Sequence, residues 1–160
     1  MLSAEELRPV SVESETAQGP EDASVRASFG AGEVFLRDED ERVHRLTWKQ
    51  GESSHKRVMQ PGTYRLMGYR IDRDEWFVSA SGGSRELELE AGRTTELELD
   101  SHIRFGLHVN ANPKAVRVAV NIQGHDKMGL SIYRWGTRIS IPYSVTSADE
   151  QLAQGAMRYG

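Results

Sequence analysis

Leu87, Leu89, Leu97 and Leu99 alternate with Glu86, Glu88, Glu90, Glu96, Glu98 and Asp100 across the stretch from Ser84 to Asp100. A period of two is the mark of strands with one buried and one wet face. Ala91-Gly92-Arg93-Thr94 reads as the connection between two such strands. If the two paired directly, glutamate would face glutamate across the ladder, which is unfavourable. Either neighbouring strands supply cations to Glu86, Glu88, Glu96 and Glu98, or these strands are not ladder partners.

The same period runs through most of the chain. Val25, Ala27 and Phe29 alternate with Ser24, Arg26 and Ser28, and Gly30-Ala31-Gly32 follows as a turn. Glu33–Arg37 and Val43–Lys49 read as strands around the polar tip Asp38-Glu39-Asp40-Glu41. Pro61-Gly62 is a strong turn signal, and it opens a strand from Tyr64 to Ile71. Asp72-Arg73-Asp74-Glu75 is a second polar turn, and Trp76–Ala80 returns. Beyond Asp100, Ile103, Phe105, Leu107 and Val109 share a face, as do Val116, Val118, Val120 and Ile122, both faces expected inward. Leu130–Trp135 and Arg138–Val145 read as strands joined around Gly136-Thr137, with Pro142 confined to an edge or a bulge because it lacks an N–H. For the C-terminus two readings stay open: a short helix after Ser147-Ala148-Asp149-Glu150, or a turn and a final strand near Ala153–Tyr159.

Short strands at even spacing predict an all-β, antiparallel, Ig-like or prealbumin-like β-sandwich. Residues 1–22 are polar, acidic and free of aromatics, and read as a disordered acidic tail or an arm that pairs with another molecule. Residues 23–100 form a first β-unit and 101–160 a second, possibly truncated, in tandem; the alternative is one larger sandwich.

Composition changes this picture in four respects. Only 38% of residues are hydrophobic and mean hydropathy is −0.58, so the core must be economical. No apolar run approaches the roughly 18 residues of a membrane-spanning helix. Residues 1–100 hold 13 Lys and Arg against 21 Asp and Glu, whereas residues 101–160 hold 7 against 3. An acidic first half and sparse cations in the second argue against nucleic acid as a partner. Cysteine is absent, which removes disulfides, thiolate metal sites and thiol nucleophiles. The N-terminus has neither the basic nor the apolar region of a secretory signal, and the compartment stays open.

Pro61-Gly62-Thr63-Tyr64-Arg65-Leu66, then Gly68-Tyr69, then Leu87-x-Leu89-x-Ala91-Gly92-x-Thr94-x-x-Leu97-x-Leu99 resembles the layout of prealbumin-like sandwiches, among them the carboxypeptidase regulatory-like and PEGA-type domains. The resemblance covers about residues 23–100. It implies an accessory, non-catalytic domain of a surface or secreted protein, and it brings no catalytic residues.

Candidate chemistry is sparse. His102 and His108 lie about 20 Å apart along a strand at about 3.3 Å per residue, too far to share one ion. His125-Asp126 needs a third ligand from elsewhere, and His44, sharing a face with Leu46 and Trp48, reads as a partly buried strand residue. The acidic turns at 38–41 and 72–75 lack the calcium-loop pattern, and Arg42 and Arg73 compete for their carboxylates. Neither a nucleophile elbow nor a phosphate-binding loop is present. No catalytic, cofactor or metal residue is therefore expected.

Tyr133, Arg134, Trp135 and Arg138 are the expected interaction surface, because Tyr, Trp and Arg dominate interface hot spots. The competing reading is that Tyr133 and Trp135, on one strand face, fill the core or cover its end. Three functional expectations follow. The first is a non-catalytic interaction or spacer module of a larger protein, with a protein or saccharide partner. The second is an accessory domain or fragment of an enzyme catalysing elsewhere. The third is a self-assembling subunit, its acidic face of Glu86, Glu88, Glu96 and Glu98 meeting Arg104, Arg117 and Arg138. Oligomeric state stays open.

Overall fold

A computed structural model describes residues 10–11, 19–52, 55–99, 103–112, 115–124, 127–147 and 150–157. The readings of most of the tail, of residues 100–102 with His102, and of His125-Asp126 lie outside them. Among the described residues the chain forms only strands. They are β1 (Val10–Ser11), β2 (Ala23–Ala27), β3 (Gly32–Arg37), β4 (Val43–Trp48), β5 (Lys56–Met59), β6 (Gly62–Arg73), β7 (Trp76–Ser81) and β8 (Glu86–Leu89). After these come β9 (Thr94–Leu97), β10 (Arg104–Asn112), β11 (Ala115–Gln123), β12 (Gly129–Arg134), β13 (Thr137–Arg138), β14 (Ile141–Ser147) and β15 (Glu150–Met157). The C-terminal alternative is thereby resolved: Glu150–Met157 is strand, not helix.

The main sheet runs β1-β4-β3-β6-β7-β12-β11-β10, with β8 added to β6 and β13 to β12. A smaller sheet, β5-β2-β9, and the hairpin β14-β15 complete an open, sandwich-like all-β fold. Of the segment read as a tail, Val10–Ser11 pairs in parallel with β4, and Gly19 to Asp22 forms a turn whose Asp22 carbonyl accepts from Gly92 N–H at 2.7 Å.

The opening stretch is corrected first. Its two strands do not form a hairpin. β8 pairs with β6, placing Glu86 opposite Arg65 and Glu88 opposite Thr63. β9 instead runs parallel to β2, with Glu96 opposite Arg26. Ala91 to Arg93 is thus an arch between sheets. Leu87 and Leu89 enter the core from one sheet, and Leu97 and Leu99 join the same cluster. The glutamates avoid one another and meet cations: Arg26–Glu96 at 3.0 Å, Arg65–Glu86 at 3.9 Å and Arg93–Glu90 at 2.7 Å. These cations are not the Arg104, Arg117 and Arg138 expected from sequence.

β6 organises the main sheet. Tyr64 and Leu66 are buried, then Tyr69 and Ile71, so the inward parity changes midway. The cause is a bulge: Phe35 pairs with Gly68 and Leu36 with Leu66, leaving Met67 as the extra residue. A bulge bends the strand and adds local twist, and β6 here changes neighbours from β8 to β7. Gly68 suits this point, because a Cβ there would lie 2.7 Å from the Ala80 carbonyl.

The two halves of the chain meet in the main sheet. β7 and β12 pair over six residues, from Ser81↔Gly129 to Trp76↔Arg134. Ile122, Met128 and Leu130 of the second half join one buried cluster with Val34, Leu46 and Leu66 of the first.

Two salt-bridged carboxylates make the fold acid-sensitive. Arg57 is buried. Its Nε donates to the Thr47 carbonyl at 2.8 Å and its Nη2 to Glu52 at 2.5 Å. The Arg57 hydrogen bond holds the Glu52 carboxyl below its ordinary 4.5, against the opposing effect of burial. Burial alone raises the Asp38 carboxyl, but hydrogen bonds from His44 and the Arg42 N–H outweigh it and bring it below 3.8. A carboxyl depressed in the folded state contributes stability that is complete above its unfolded pKa and lost as pH falls through the folded one. Urea midpoints are therefore expected to fall below about pH 4.5, and to fall less steeply in Glu52→Gln. Parallel profiles for the two proteins would show that Glu52 carries none of the linkage.

Candidate functional site

At the end of the main sheet where β6 stops, two tight turns lie side by side. Arg73↔Trp76 closes the β6–β7 turn, and Arg134↔Thr137 closes the β12–β13 turn. Because β7 and β12 are ladder partners, Trp76 and Arg134 stand opposite each other. The Trp135 N–H donates to the Glu75 carbonyl at 2.9 Å, tying turn to turn. Glu75 Oε1 accepts from Arg134 Nε at 3.1 Å and Nη2 at 2.8 Å. Held in this way, the Arg134 guanidinium lies 5.1 Å from the Trp76 ring centre and 4.4 Å from that of Trp135. The ion pair is exposed and worth at most about 1 kcal/mol; it serves mainly to orient the cation between two indoles.

The expectation that Tyr133 and Trp135 share a strand face is corrected here. Tyr133 is the strand residue, stacked on Phe77 at 4.4 Å and 8°, while Arg70 covers Phe77 at 3.9 Å. Trp135 lies in the turn, with φ 48° followed by Gly136 at 75°. Positive φ at both central residues is the two-residue turn whose twist suits a hairpin, normally built from Asn-Gly. A bulky side chain there costs about 1–2 kcal/mol. Its indole packs into no core: Trp135 is 73% exposed, and Trp76 37%. Arg138 stands across from Tyr133 and donates from Nη2 to Ser131 Oγ at 2.8 Å. Tyr133, Arg134, Trp135 and Arg138 are thus neighbours, but Arg134 and Trp135 form the exposed part and Tyr133 supports from the sheet.

Beside this rim a hollow of about 320 Å³ opens, lined by Tyr69, Ile71, Val78 and Leu130 from the sheet, Leu99 and Ile103 from the connection, and Arg73, Trp76 and Phe77 at its mouth. Its volume is at the lower end for small-molecule sites, which are mostly apolar with a few placed polar groups. Among the described residues, the polar groups of the lining are the Arg73 guanidinium, the Tyr69 hydroxyl and the Trp76 indole N–H. Sequence reasoning missed Trp76, Glu75 and the hollow, because the 59-residue separation of Glu75 from Arg134 leaves no local signal.

At the opposite end of β6, Asp38, Glu39, Glu41, Arg37, Tyr64, Arg65 and Glu86 line a polar hollow of about 280 Å³. His44 Nε2 lies 2.7 Å from Asp38 Oδ2, and its ring packs edge-on to Tyr64 at 5.6 Å. His44 is half-buried, as its strand position implied. Burial, with the Asp38 charge, pushes the Tyr64 phenol above its ordinary 10.0. Glu41 pairs with Arg37 at 2.8 Å and Asp40 with Arg42 at 3.4 Å. In the second acidic turn Asp72 pairs with Arg70 at 2.7 Å. Among the described residues no cluster of three or more metal-ligating side chains occurs.

Compared with family models, with curated proteins and with solved structures, the chain finds no match.

Proposed function

We propose that this chain is a non-catalytic β-sandwich interaction module, Ig-like or prealbumin-like, whose recognition surface for a protein partner is the Trp76–Arg134–Trp135 rim and its hollow. The carrying observation is Trp135, held at positive φ with its indole in solvent beside an oriented arginine. Strain of that kind persists where the surroundings impose it, and it gathers at binding sites. Two indoles flanking a guanidinium, next to an apolar hollow, have the anatomy of an interface hot spot. The hollow receives an apolar side chain of the partner. The prealbumin-like layout of residues 23–100 supports an accessory role within a larger surface or secreted protein.

The test uses peptides selected from a random library displayed on phage and panned against the chain. Trp135→Asn restores the preferred Asn-Gly turn, so it is expected to raise stability by about 0.5–1 kcal/mol. The same variant is expected to weaken the selected peptides by about tenfold or more. Trp76→Ala weakens them likewise, and Glu75→Gln less. Peptides indifferent to both tryptophan variants would place recognition elsewhere. A glycan array giving ligands that depend on Trp135 would replace the protein partner by a saccharide.

A further inference from the structure

Among the described residues, none covers the apolar face of the β10–β11 ribbon. Its register sets Phe105 opposite Ile122, Leu107 opposite Val120 and Val109 opposite Val118, three apolar pairs on one face. The sequence pattern implies that this face is core. Only the β11 side reaches it, through Ile122 at 2% exposed and Val120 packed beside it, whereas Val118 is 37%, Val109 59%, Leu107 64% and Phe105 67% exposed. β10 is also the last strand of the main sheet, and among the described residues its outer edge is unpaired. Exposed apolar surface along a free edge is what natural sheets normally avoid.

The same chain holds a second ribbon of complementary character. β14 and β15 pair only with each other. Tyr143 is opposite Gly155 and Val145 opposite Ala153, on the same face as Ile141, which is half-buried and packs against the core at the ribbon's base. Tyr143 lies over Gly155, where a Cβ would be 2.9 Å from the ring. That face is therefore low, with small residues on β15 and bulky ones on β14, and it suits the projecting Phe105, Leu107 and Val109. From Ile141 to Met157 the chain carries charge only at Asp149 and Glu150, near the hairpin tip. An isolated two-stranded ribbon is marginal in water without a layer against it.

We propose that the chain forms a two-fold dimer in which the apolar face of β10–β11 in each copy is covered by the β14–β15 ribbon of the other. Area supports a reciprocal exchange over a single contact. The β14–β15 ribbon is the shorter, with strands of 7 and 8 residues, and sets a shared face of about 25 Å by 10 Å, or roughly 250 Å². One stacked pair buries about 500 Å², in the range of packing contacts; two pairs bury about 1,000 Å², the least that a specific interface needs. The reciprocal arrangement also closes the assembly, whereas a one-way exchange propagates into filaments. This surface is separate from the Trp135 rim, and either proposal can fail without the other.

Light scattering coupled to size exclusion is expected to give twice the 17.9 kDa chain mass. Leu107→Lys and Val145→Lys, both at exposed positions, should each return the protein to a folded monomer whose unfolding midpoint no longer depends on protein concentration. Since the chain has no cysteine, Leu107→Cys and Val145→Cys can be made singly, mixed, and treated with a short bis-maleimide. Linkage between the two different variants is expected. A monomer at about 100 μM, weaker than a micromolar association, overturns the proposal, and so does a dimer that survives both lysine variants. Leu107→Cys linking to itself indicates ribbon stacked on like ribbon. Linkage within one monomeric double variant indicates that a chain covers its own face. Either result rejects the exchange.

Discussion

Replacing Trp48 by alanine is expected to lower stability by about 3–5 kcal/mol, the range for removing a buried large aromatic. Trp48 ends β4 and is fully buried. It meets Phe29 edge-on at 5.4 Å, lies under the Arg57 guanidinium at 5.3 Å, and donates its indole N–H to the His55 carbonyl at 2.7 Å. Alanine removes all three contacts and leaves the His55 carbonyl without its donor. It also removes the surface on which Arg57 rests, and Arg57 in turn holds Glu52 and the Thr47 carbonyl. At about 2–4 °C per kcal/mol for a chain of this size, the melting temperature should fall by about 10 °C. Trp48→Phe keeps the ring but loses the N–H, and is expected to cost less than half as much. A urea midpoint for Trp48→Ala within about 1 kcal/mol of the parent would mean that the core closes without this side chain.

The second large effect is expected at Gly32, the first residue of β3, where alanine should destabilise by about 2–4 kcal/mol. Gly32 pairs with Trp48 on one side and Ile71 on the other. Its φ is 150°, and a Cβ would meet the Arg70 carbonyl oxygen at 2.1 Å and Phe29 Cε2 at 3.0 Å. The first obstacle is backbone of β6, so relief requires β3 and β6 to part where β4, β3 and β6 are packed. Phe29→Leu should therefore not rescue Gly32→Ala, since it removes only the second obstacle. A Gly32→Ala protein with parental stability, or one restored by trimming Phe29, would show that β3 shifts freely here.

Part of this architecture is legible in local pattern. The inward parity of Leu87, Leu89 and Leu97, of Val34 and Leu36, and of Leu46 and Trp48 follows from alternation, and each is buried. Pro142 sits on an edge strand, as its missing N–H requires. Other features leave no such trace. Alternation at β8 and β9 is the same whether they pair with one another or bridge two sheets, because a strand's period records its faces and not its neighbours. Arg26 and Arg65, which resolve the glutamate repulsion, come from strands read only as isolated runs. Of the candidate site, the residue types at 133–138 mark one of its two turns. The rim itself needed Trp76 and Glu75, brought there by the β7–β12 ladder.

What the sequence by itself determined is the strand character, the core face of the first half and the expected position of an aromatic, arginine-rich hairpin. These depend on residue type and period, which act over a few residues. Only the tertiary structure decided that β8 and β9 lie in different sheets, that Met67 shifts the parity of β6, and that the halves share one sheet and core. It alone separated the valines and leucines of β10–β11 from a core they resemble in every local respect. Burial needs a second layer, and whether one arrives is a property of chain path rather than of the strand. Trp135 followed the same rule, its exposure set by a turn whose backbone sign its neighbours impose.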